Sequence, residues 1–126
     1  MTQCPCGSGQ DLDRCCAPYI DGNPAPTAEA LLRSRYTAYV LGNVDYIAHT
    51  MSMDIRDTFD QIEAENTVAR TTWQGLEIRE IADGGEDDDS GTVEFTARFE
   101  MGGENRVHHE RANFRREDGK WMVGTG

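Results

Sequence analysis

The sequence has no apolar run long enough to cross a membrane, because charged residues interrupt its longest hydrophobic pattern every few positions. Residues 1–3 have neither the basic region nor the apolar run of a signal peptide, which predicts a cytoplasmic protein. Positive charge is also scarce: 12 Lys and Arg against 23 Asp and Glu give a net charge of −11. Since neutralisation of phosphates drives non-specific binding to nucleic acids, we expect no direct binding of DNA or RNA, and no attachment to an anionic membrane surface.

Several catalytic signatures are missing as well. The chain has no P-loop, no dinucleotide-binding fingerprint and no Ser-His-Asp arrangement. The acidic segment 83–91 lacks the ligand spacing of an EF-hand loop, so we expect a solvated loop tip there rather than a calcium site. What is left is a chain of 126 residues, long enough for one small domain with a single core of modest size.

Cysteine is absent after position 16, and all four cysteines lie in the first sixteen residues, as Cys4 and Cys6 and then Cys15 and Cys16. Four thiolates around one Zn²⁺ make a closed tetrahedral site, and the metal would supply the folding free energy that so short a segment lacks. A disulfide framework is less favoured, because adjacent cysteines bridge with strain and cytosolic disulfides are rare. A Cys-x-x-Cys redox pair is absent. Zinc is therefore the favoured interpretation, with a disulfide or redox pair and unligated thiols as the alternatives.

The run Cys-Pro-Cys-Gly-Ser-Gly at positions 4–9, followed by the adjacent pair at 15 and 16, resembles the SEC-C motif. This motif is a small zinc-binding element also found at the C-terminus of the SecA translocation ATPase. The resemblance implies that Cys4, Cys6, Cys15 and Cys16 ligate one structural zinc ion. By analogy with SecA it also implies a protein partner, from secretion, the chaperones or the ribosome.

The helical part of the chain is expected to follow a linker. Residues 21–26 contain two prolines and separate a zinc knuckle at 1–20 from a body at 27–126. Thr27 is expected to cap a helix that ends at Gly42, and Asn43 a second one that reaches about position 51. A weaker helix is expected at 57–69. The residues expected on the buried sides of the first and third helices are Leu31, Leu32, Tyr36, Tyr39 and Val40, and Phe59, Ile62 and Ala69.

From position 72 the hydrophobic period changes to two, which indicates strands. The strands are predicted at 73–81, 92–101, 106–116 and 120–125, with a two-residue hairpin turn at Asp118 and Gly119. Helices followed by an antiparallel meander of four strands predict an α+β fold with the helices on one face of the sheet.

Three stretches of the body resemble the YchJ family: 33–39, then Trp73 with 76–78, and 109–111 continuing through Phe114 and Trp121. In this family an N-terminal SEC-C motif precedes a domain of NTF2-like fold. The resemblance implies a curved four-stranded antiparallel sheet wrapped around the N-terminal helices, forming a cone that often holds a pocket. It is compatible with a dimer formed through the convex face of the sheet.

Two functions are expected from these features. The first is that of a protein-interaction or adaptor module that docks through the zinc knuckle. The second is a small-molecule binder, or a lyase or isomerase, that uses the pocket with Glu110, His109 and Arg35 as candidates. A His–Glu pair in a cavity would suit general acid–base chemistry. We favour a non-enzymatic role, in which Glu110 forms a buried ion pair with an arginine of the first helix and so fixes that helix on the sheet.

Other side chains could also face the pocket of the cone. The helices could contribute Arg33, Arg35, Tyr36, Tyr39 and His49. The aromatic residues Trp73, Trp121, Phe95 and Phe99 are expected to be core residues first, and to line a pocket only if the cone stays open.

Overall fold

The computed structural model describes residues 2–124. In chain order the elements are a 3-10 turn (Leu12–Arg14), helices α1 (Ala17–Ile20), α2 (Ala28–Leu41), α3 (Val44–His49), α4 (Met53–Arg56) and α5 (Gln61–Arg70), and strands β1 (Thr71–Asp83), β2 (Ser90–Met101), β3 (Glu104–Glu117) and β4 (Lys120–Val123). The strands form one antiparallel sheet in the order β1-β2-β3-β4. This confirms the predicted α+β class and the four-stranded meander. Within the described residues, no helix combines the length and the apolar character needed to cross a membrane.

Helix α2 is capped as the sequence predicts. The side chain of Thr27 accepts a hydrogen bond from the backbone N–H of Ala30 at 3.1 Å, and Gly42 ends the helix with φ of 77°. Leu31 is buried, as expected for the core-facing side of this helix. Val40 does not follow the prediction, because it lies in a last turn that is exposed together with its neighbour at position 41.

The helix predicted at 57–69 begins four residues later, at Gln61, and its buried side differs from the prediction. The side chain of Asp60 accepts a hydrogen bond from the N–H of Glu63 at 3.0 Å, and this cap begins α5 as a separate helix. Ile62 is 71% exposed, and Ala69 is also exposed, whereas Ala64 and Val68 are half-buried. The cap at Asp60 therefore changes where the helix begins and which of its residues face the body.

The segment after α3 lies along the free edge of β4. The N–H of Ser52 donates to the carbonyl of Val123, and the N–H of Val123 donates to the carbonyl of Thr50, both at 2.9 Å. This pairing ends α3 at His49, two residues earlier than predicted, and covers an edge strand that would otherwise present unpaired backbone groups.

Two features of the backbone shape the sheet. Strand β1 has register irregularities between Trp73 and Gly75 and between Ile78 and Glu80, and such bulges bend a strand and increase its twist. The β3–β4 hairpin turns at Asp118 and Gly119, which have φ of 52° and 79°, as the sequence predicts for a two-residue turn. Strand β4 ends at Val123; of the positions predicted to extend it, Thr125 lies outside the described residues.

The predicted linker is packed on the body. Ala25 belongs to the main core cluster, and the indole Nε1 of Trp121 donates to the carbonyl of Pro26 at 3.2 Å. That core joins α2 to strands β2, β3 and β4, with Leu31, Val93 and Trp121 almost fully buried. The chain therefore enters α2 from a fixed position, while the division into domains at residues 20 and 27 stays a prediction.

Candidate metal centre and cavity

The four cysteines meet in one cluster. Their four Sγ atoms all lie within 4.8 Å of one another, with 3.6 Å between Cys6 and Cys15 and 3.9 Å between Cys15 and Cys16. None is in a disulfide. Four sulfurs placed tetrahedrally at about 2.3 Å from a metal ion would stand about 3.8 Å apart. The cluster therefore fits a tetrahedral metal ion, and the four cysteines could hold one.

The local backbone explains how so short a segment brings four thiols together. The N–H of Cys4 donates to the carbonyl of Gln10 at 2.9 Å, closing a loop in which Gly7 adopts φ of 81°. The hydroxyl of Ser8 lies 3.2 Å from the sulfur of Cys15, which follows the 3-10 turn. A glycine suits position 7 because an L side chain rarely adopts this φ.

The cysteine cluster lies against α2 and β1 rather than apart from the body. The sulfur of Cys4 is 3.5 Å from the hydroxyl of Thr37, and Nη1 of Arg33 donates to the carbonyl of Cys6 at 2.9 Å. Leu76 of β1 packs on the same cluster. Burial alone would lower the pKa of Arg33, but its hydrogen bonds to Glu29 and Cys6 raise it overall. A firmly charged arginine therefore stands beside the thiols.

The thiols influence one another's protonation. The neighbouring thiol of Cys16 lowers the pKa of Cys6, and the same interaction, together with burial, raises the pKa of Cys16. Thiolate, rather than thiol, is the form that binds a metal ion, and binding releases the remaining protons. In the metal-free cluster Cys6 is therefore the thiol that loses its proton most readily, and a bound metal ion would displace the protons of its neighbours.

A cavity of about 340 Å³ lies between α2 and the inner face of the sheet. Most of its wall is apolar or aromatic, and only a few charged or polar groups reach it. The lining residues are Leu32, Arg35, Tyr36, Tyr39, Thr67, Thr71, Trp73, Leu76, Phe95, Ala97, Phe99, Met101, His108, Glu110, Ala112 and Val123. A mainly apolar cavity with a few polar groups is typical of a site for a small molecule.

Arg35 is the cationic residue of the cavity wall. Its Nη1 donates to the carbonyl of Ile47 at 2.7 Å and to the hydroxyl of Thr50 at 2.5 Å. Burial lowers the pKa of Arg35, against the smaller opposing effects of nearby groups that include Tyr39 and Glu110. The sequence proposed Arg35 for the pocket, and the structure places it on the cavity wall.

Glu110 also lines the cavity, but its partner differs from the one expected. Nε2 of His108 lies 2.8 Å from Oε1 of Glu110, and both side chains are about half exposed. Among the described residues no arginine of α2 lies within ion-pair distance of Glu110. The expected buried ion pair with α2 is therefore absent here, and Glu110 interacts instead with a residue two positions away on the same face of β3.

His109 lies on the other face of the sheet. Its ring contacts Glu94 at 2.9 Å and the hydroxyl of Thr96 at 3.2 Å, because successive side chains of a strand point to opposite sides. The cavity histidine is His108. The alternation that puts His108 and Glu110 on one face was visible in the sequence, but which face is the inner one was not.

The other candidate residues divide between cavity and core. Trp73 contacts the rings of Tyr36, Tyr39 and Phe99, with centroids 5.4–5.7 Å apart, and forms an aromatic corner of the cavity. Trp121 is in the core instead. Arg33 contacts the cysteine cluster, and His49 is not among the lining residues. Sequence reasoning missed Thr67 and Thr71, because the turn from α5 into β1 brings them to the cavity.

The dense group of arginines on β3 does not form a free basic surface. Arg115 pairs with Asp54 and Glu117. Arg116 donates to the backbone carbonyls of Glu86 and Asp88 in the acidic loop. Each of these arginines thus serves to hold another segment of the chain.

Comparison with known proteins identifies relatives over nearly the whole chain. Residues 27–126 match the model of the YchJ middle NTF2-like domain, and residues 2–18 match the SEC-C motif. A UPF0225 protein of Geobacter sulfurreducens is 44% identical over 124 residues, which cover 98% of this chain and 77% of that protein. The solution structure of a SEC-C motif containing protein from Rhodopseudomonas palustris has a TM-score of 0.88 and 38% identity, covering 99% of this chain and 97% of that one. A crystal structure from Psychrobacter arcticus, also of a SEC-C motif containing protein, has a TM-score of 0.83 and 30% identity, covering 97% and 80%.

Proposed function

This chain belongs to the family of the YchJ middle NTF2-like domain and carries a SEC-C motif, and we propose that it binds a small molecule in its cavity and one structural zinc ion at its N-terminus. The observation that carries the proposal is the mainly apolar cavity of about 340 Å³, which contains a half-buried arginine and a half-exposed His–Glu pair. Its size is within the range of small-molecule sites, and its polar groups are few, as such sites require for specificity.

Zinc is the metal we assign to the cysteine cluster. Thiolates are soft ligands that favour Zn²⁺ over the hard cations, and four of them complete its tetrahedral coordination. A site filled by four cysteines leaves no position for water, so the role of the zinc is structural. It would hold the N-terminal segment against α2, the helix that also provides one wall of the cavity.

The adaptor role expected from the SEC-C motif stays a prediction, and burial of knuckle residues limits the surface that a partner could contact. Cys4, Cys6 and Cys16 are buried, and the cluster packs on α2 and Leu76. The longest exposed run of the knuckle is the loop 7–10, and Thr2, Gln3, Asp13 and Arg14 are exposed as well. A protein partner would therefore contact these exposed residues, whereas a ligand of the cavity would not depend on them.

The test is a titration followed through the two indole N–H signals in the nuclear magnetic resonance spectrum of the zinc-loaded protein. The ligands are 2-naphthylacetamide, which is neutral, and 2-naphthylacetate. We expect either compound to shift the Trp73 signal, because Trp73 lines the cavity, and to leave the Trp121 signal in place, because Trp121 is in the core. If neither compound moves Trp73, or if both indoles move equally, the cavity is not the binding site and the proposal fails.

A further inference from the structure

We propose that the cavity selects small molecules with an apolar body and a single carboxylate, and that Nε and Nη2 of Arg35 bind that carboxylate. This inference depends on the proposed small-molecule function and names the chemical class of its ligand. It follows from three features of the cavity: the free donors of Arg35, the excess of donors near it, and the charge of the surrounding residues.

Arg35 is a cation that lacks an anionic partner at contact distance. The end of α3 uses only Nη1, through the carbonyl of Ile47 and the hydroxyl of Thr50. Nε and Nη2 have no hydrogen-bond partner among the described residues. Neither of them is among the fully buried side-chain nitrogen and oxygen atoms that lack a partner. Both nitrogens therefore stay accessible on a side chain that otherwise is packed in protein. A guanidinium offers two parallel donors that match the two oxygens of a carboxylate.

A second hydrogen-bond donor of the cavity comes from the same helix as Arg35. Tyr39 lines the same cavity, and its hydroxyl has no hydrogen-bond partner among the residues described. The indole Nε1 of Trp73, on the same wall, is buried without a partner. The one acidic group of the lining, Glu110, is already engaged by His108. Unpaired donors on the wall call for a ligand that supplies acceptors.

Charge favours a single carboxylate over a phosphate or a cation. Arg35 is the only arginine or lysine among the lining residues, and Glu110 is the only carboxylate. A dianion would bring two negative charges to one guanidinium in a protein of net charge −11. A cation would leave Arg35 without a counter-charge and repel it. Burial of a charge is costly unless it is paired, so a monoanion completes the site best.

The experiment measures the dissociation constants of 2-naphthylacetate and of its neutral amide, 2-naphthylacetamide, by calorimetry with the zinc-loaded protein. A charge-assisted pair in a cavity predicts that the acid binds about tenfold or more tightly than the amide. Glu110→Gln removes the only carboxylate of the lining, so it should tighten the acid a few-fold relative to the amide. These two measurements do not require any change at Arg35.

Variants at Arg35 then test the assigned donors. Arg35→Gln should abolish the preference for the acid, whereas Arg35→Lys should retain part of it, because a single ammonium keeps the charge without the fork. Arg79→Gln is the control: it removes one positive charge beside Thr96, on the face of the sheet away from the cavity, and should leave the preference as it is. Circular dichroism checks that each variant is folded.

The outcomes separate this inference from the proposed function. Equal binding of acid and amide at Trp73 would overturn the role of Arg35 while leaving the small-molecule function intact. Tighter binding of the amide, or weaker binding of the acid to Glu110→Gln, would also overturn it. No binding of either compound would overturn both proposals.

Discussion

The sulfur of Cys4 lies 3.5 Å from the hydroxyl of Thr37, and this contact joins the N-terminal cysteines to the central helix of the body. Arg33, one turn before Thr37 on α2, donates to the backbone carbonyl of Cys6. Other positions of the same helix, including Arg35 and Tyr39, line the cavity. Helix α2 and Leu76 of β1 therefore both lie between the cysteine cluster and the cavity, and a change at one side can reach the other through either of them.

Removal of zinc is predicted to destabilise the whole chain rather than the knuckle alone. The cysteine cluster packs on α2 and Leu76, so its loss would expose part of the body. A ligand present at about a thousand times its dissociation constant adds about 4 kcal/mol to the free energy of unfolding, and for a chain of this length its removal should lower the Tm by about 10 °C or more. Melting curves followed by circular dichroism, with and without a chelator, measure this shift.

The control for this prediction is the return of the original Tm when excess zinc is added. Cys15→Ser should reproduce the chelated state and should not respond to zinc, because only three thiolates remain. If the chelator removed only a small separate transition and left the main melting transition unchanged, the knuckle would unfold independently of the body.

Thr37→Val is predicted to weaken the contact between the knuckle and α2. Valine keeps the shape of threonine and removes the hydroxyl beside the sulfur of Cys4. Loss of a hydrogen bond of this kind should lower the free energy of unfolding by about 1–2 kcal/mol, as measured by urea denaturation. The matched control is Thr72→Val, at an exposed position of β1, which should change it by about 0.5 kcal/mol or less. An equal effect of the two substitutions would mean that the hydroxyl of Thr37 does not help to hold the knuckle against α2.

Glu110→Gln is predicted to change stability little. Its carboxylate contacts the half-exposed ring of His108 rather than a buried arginine, and exposed pairs contribute about 0–1 kcal/mol. Breaking a buried ion pair would instead cost about 3–5 kcal/mol. A loss of that size in chemical denaturation would mean that Glu110 does pair with α2 after all.

Gly91→Ala is predicted to destabilise the end of the β1–β2 hairpin. A Cβ on Gly91 would lie 2.4 Å from the backbone nitrogen of Gly84, and the carbonyl of Gly84 accepts the hydrogen bond from Ala28 at the start of α2. Forcing these backbones apart should cost about 1–3 kcal/mol or more. Gly124→Ala is the control, since its Cβ would meet only an ordinary contact of 3.6 Å. Comparable melting temperatures for the two variants would contradict this account.

Local signals in the sequence were sufficient for most of the secondary structure. Thr27, Asn43 and Gly42 begin or end helices as predicted, since caps depend on the residue itself and its immediate neighbours. The strict alternation of β2 and the turn at Asp118 were predictable for the same reason. The start of α5 at Gln61 was missed, although Asp60 is a good capping residue, because the helical pattern of apolar residues begins before it.

The candidate sites were predictable to different degrees. Sequence spacing was sufficient to bring Cys4, Cys6, Cys15 and Cys16 together, because the ligands of this cluster lie within thirteen residues of one another. The cavity depends on contacts between distant segments. Period two showed that His108 and Glu110 share a face of β3, but not that this face, rather than the face of His109, is the inner one.

The sequence by itself determined most of the elements, the order of the strands and the members of the cysteine cluster, since each follows from interactions between near neighbours in the chain. The tertiary structure decided the partners of the charged groups: Arg35 with the end of α3, Arg33 with the knuckle, and Glu110 with His108. These choices depend on how α2 is rotated and how β1 is bent against the sheet. Packing of the whole core fixes both, and a local pattern of residues does not contain that information.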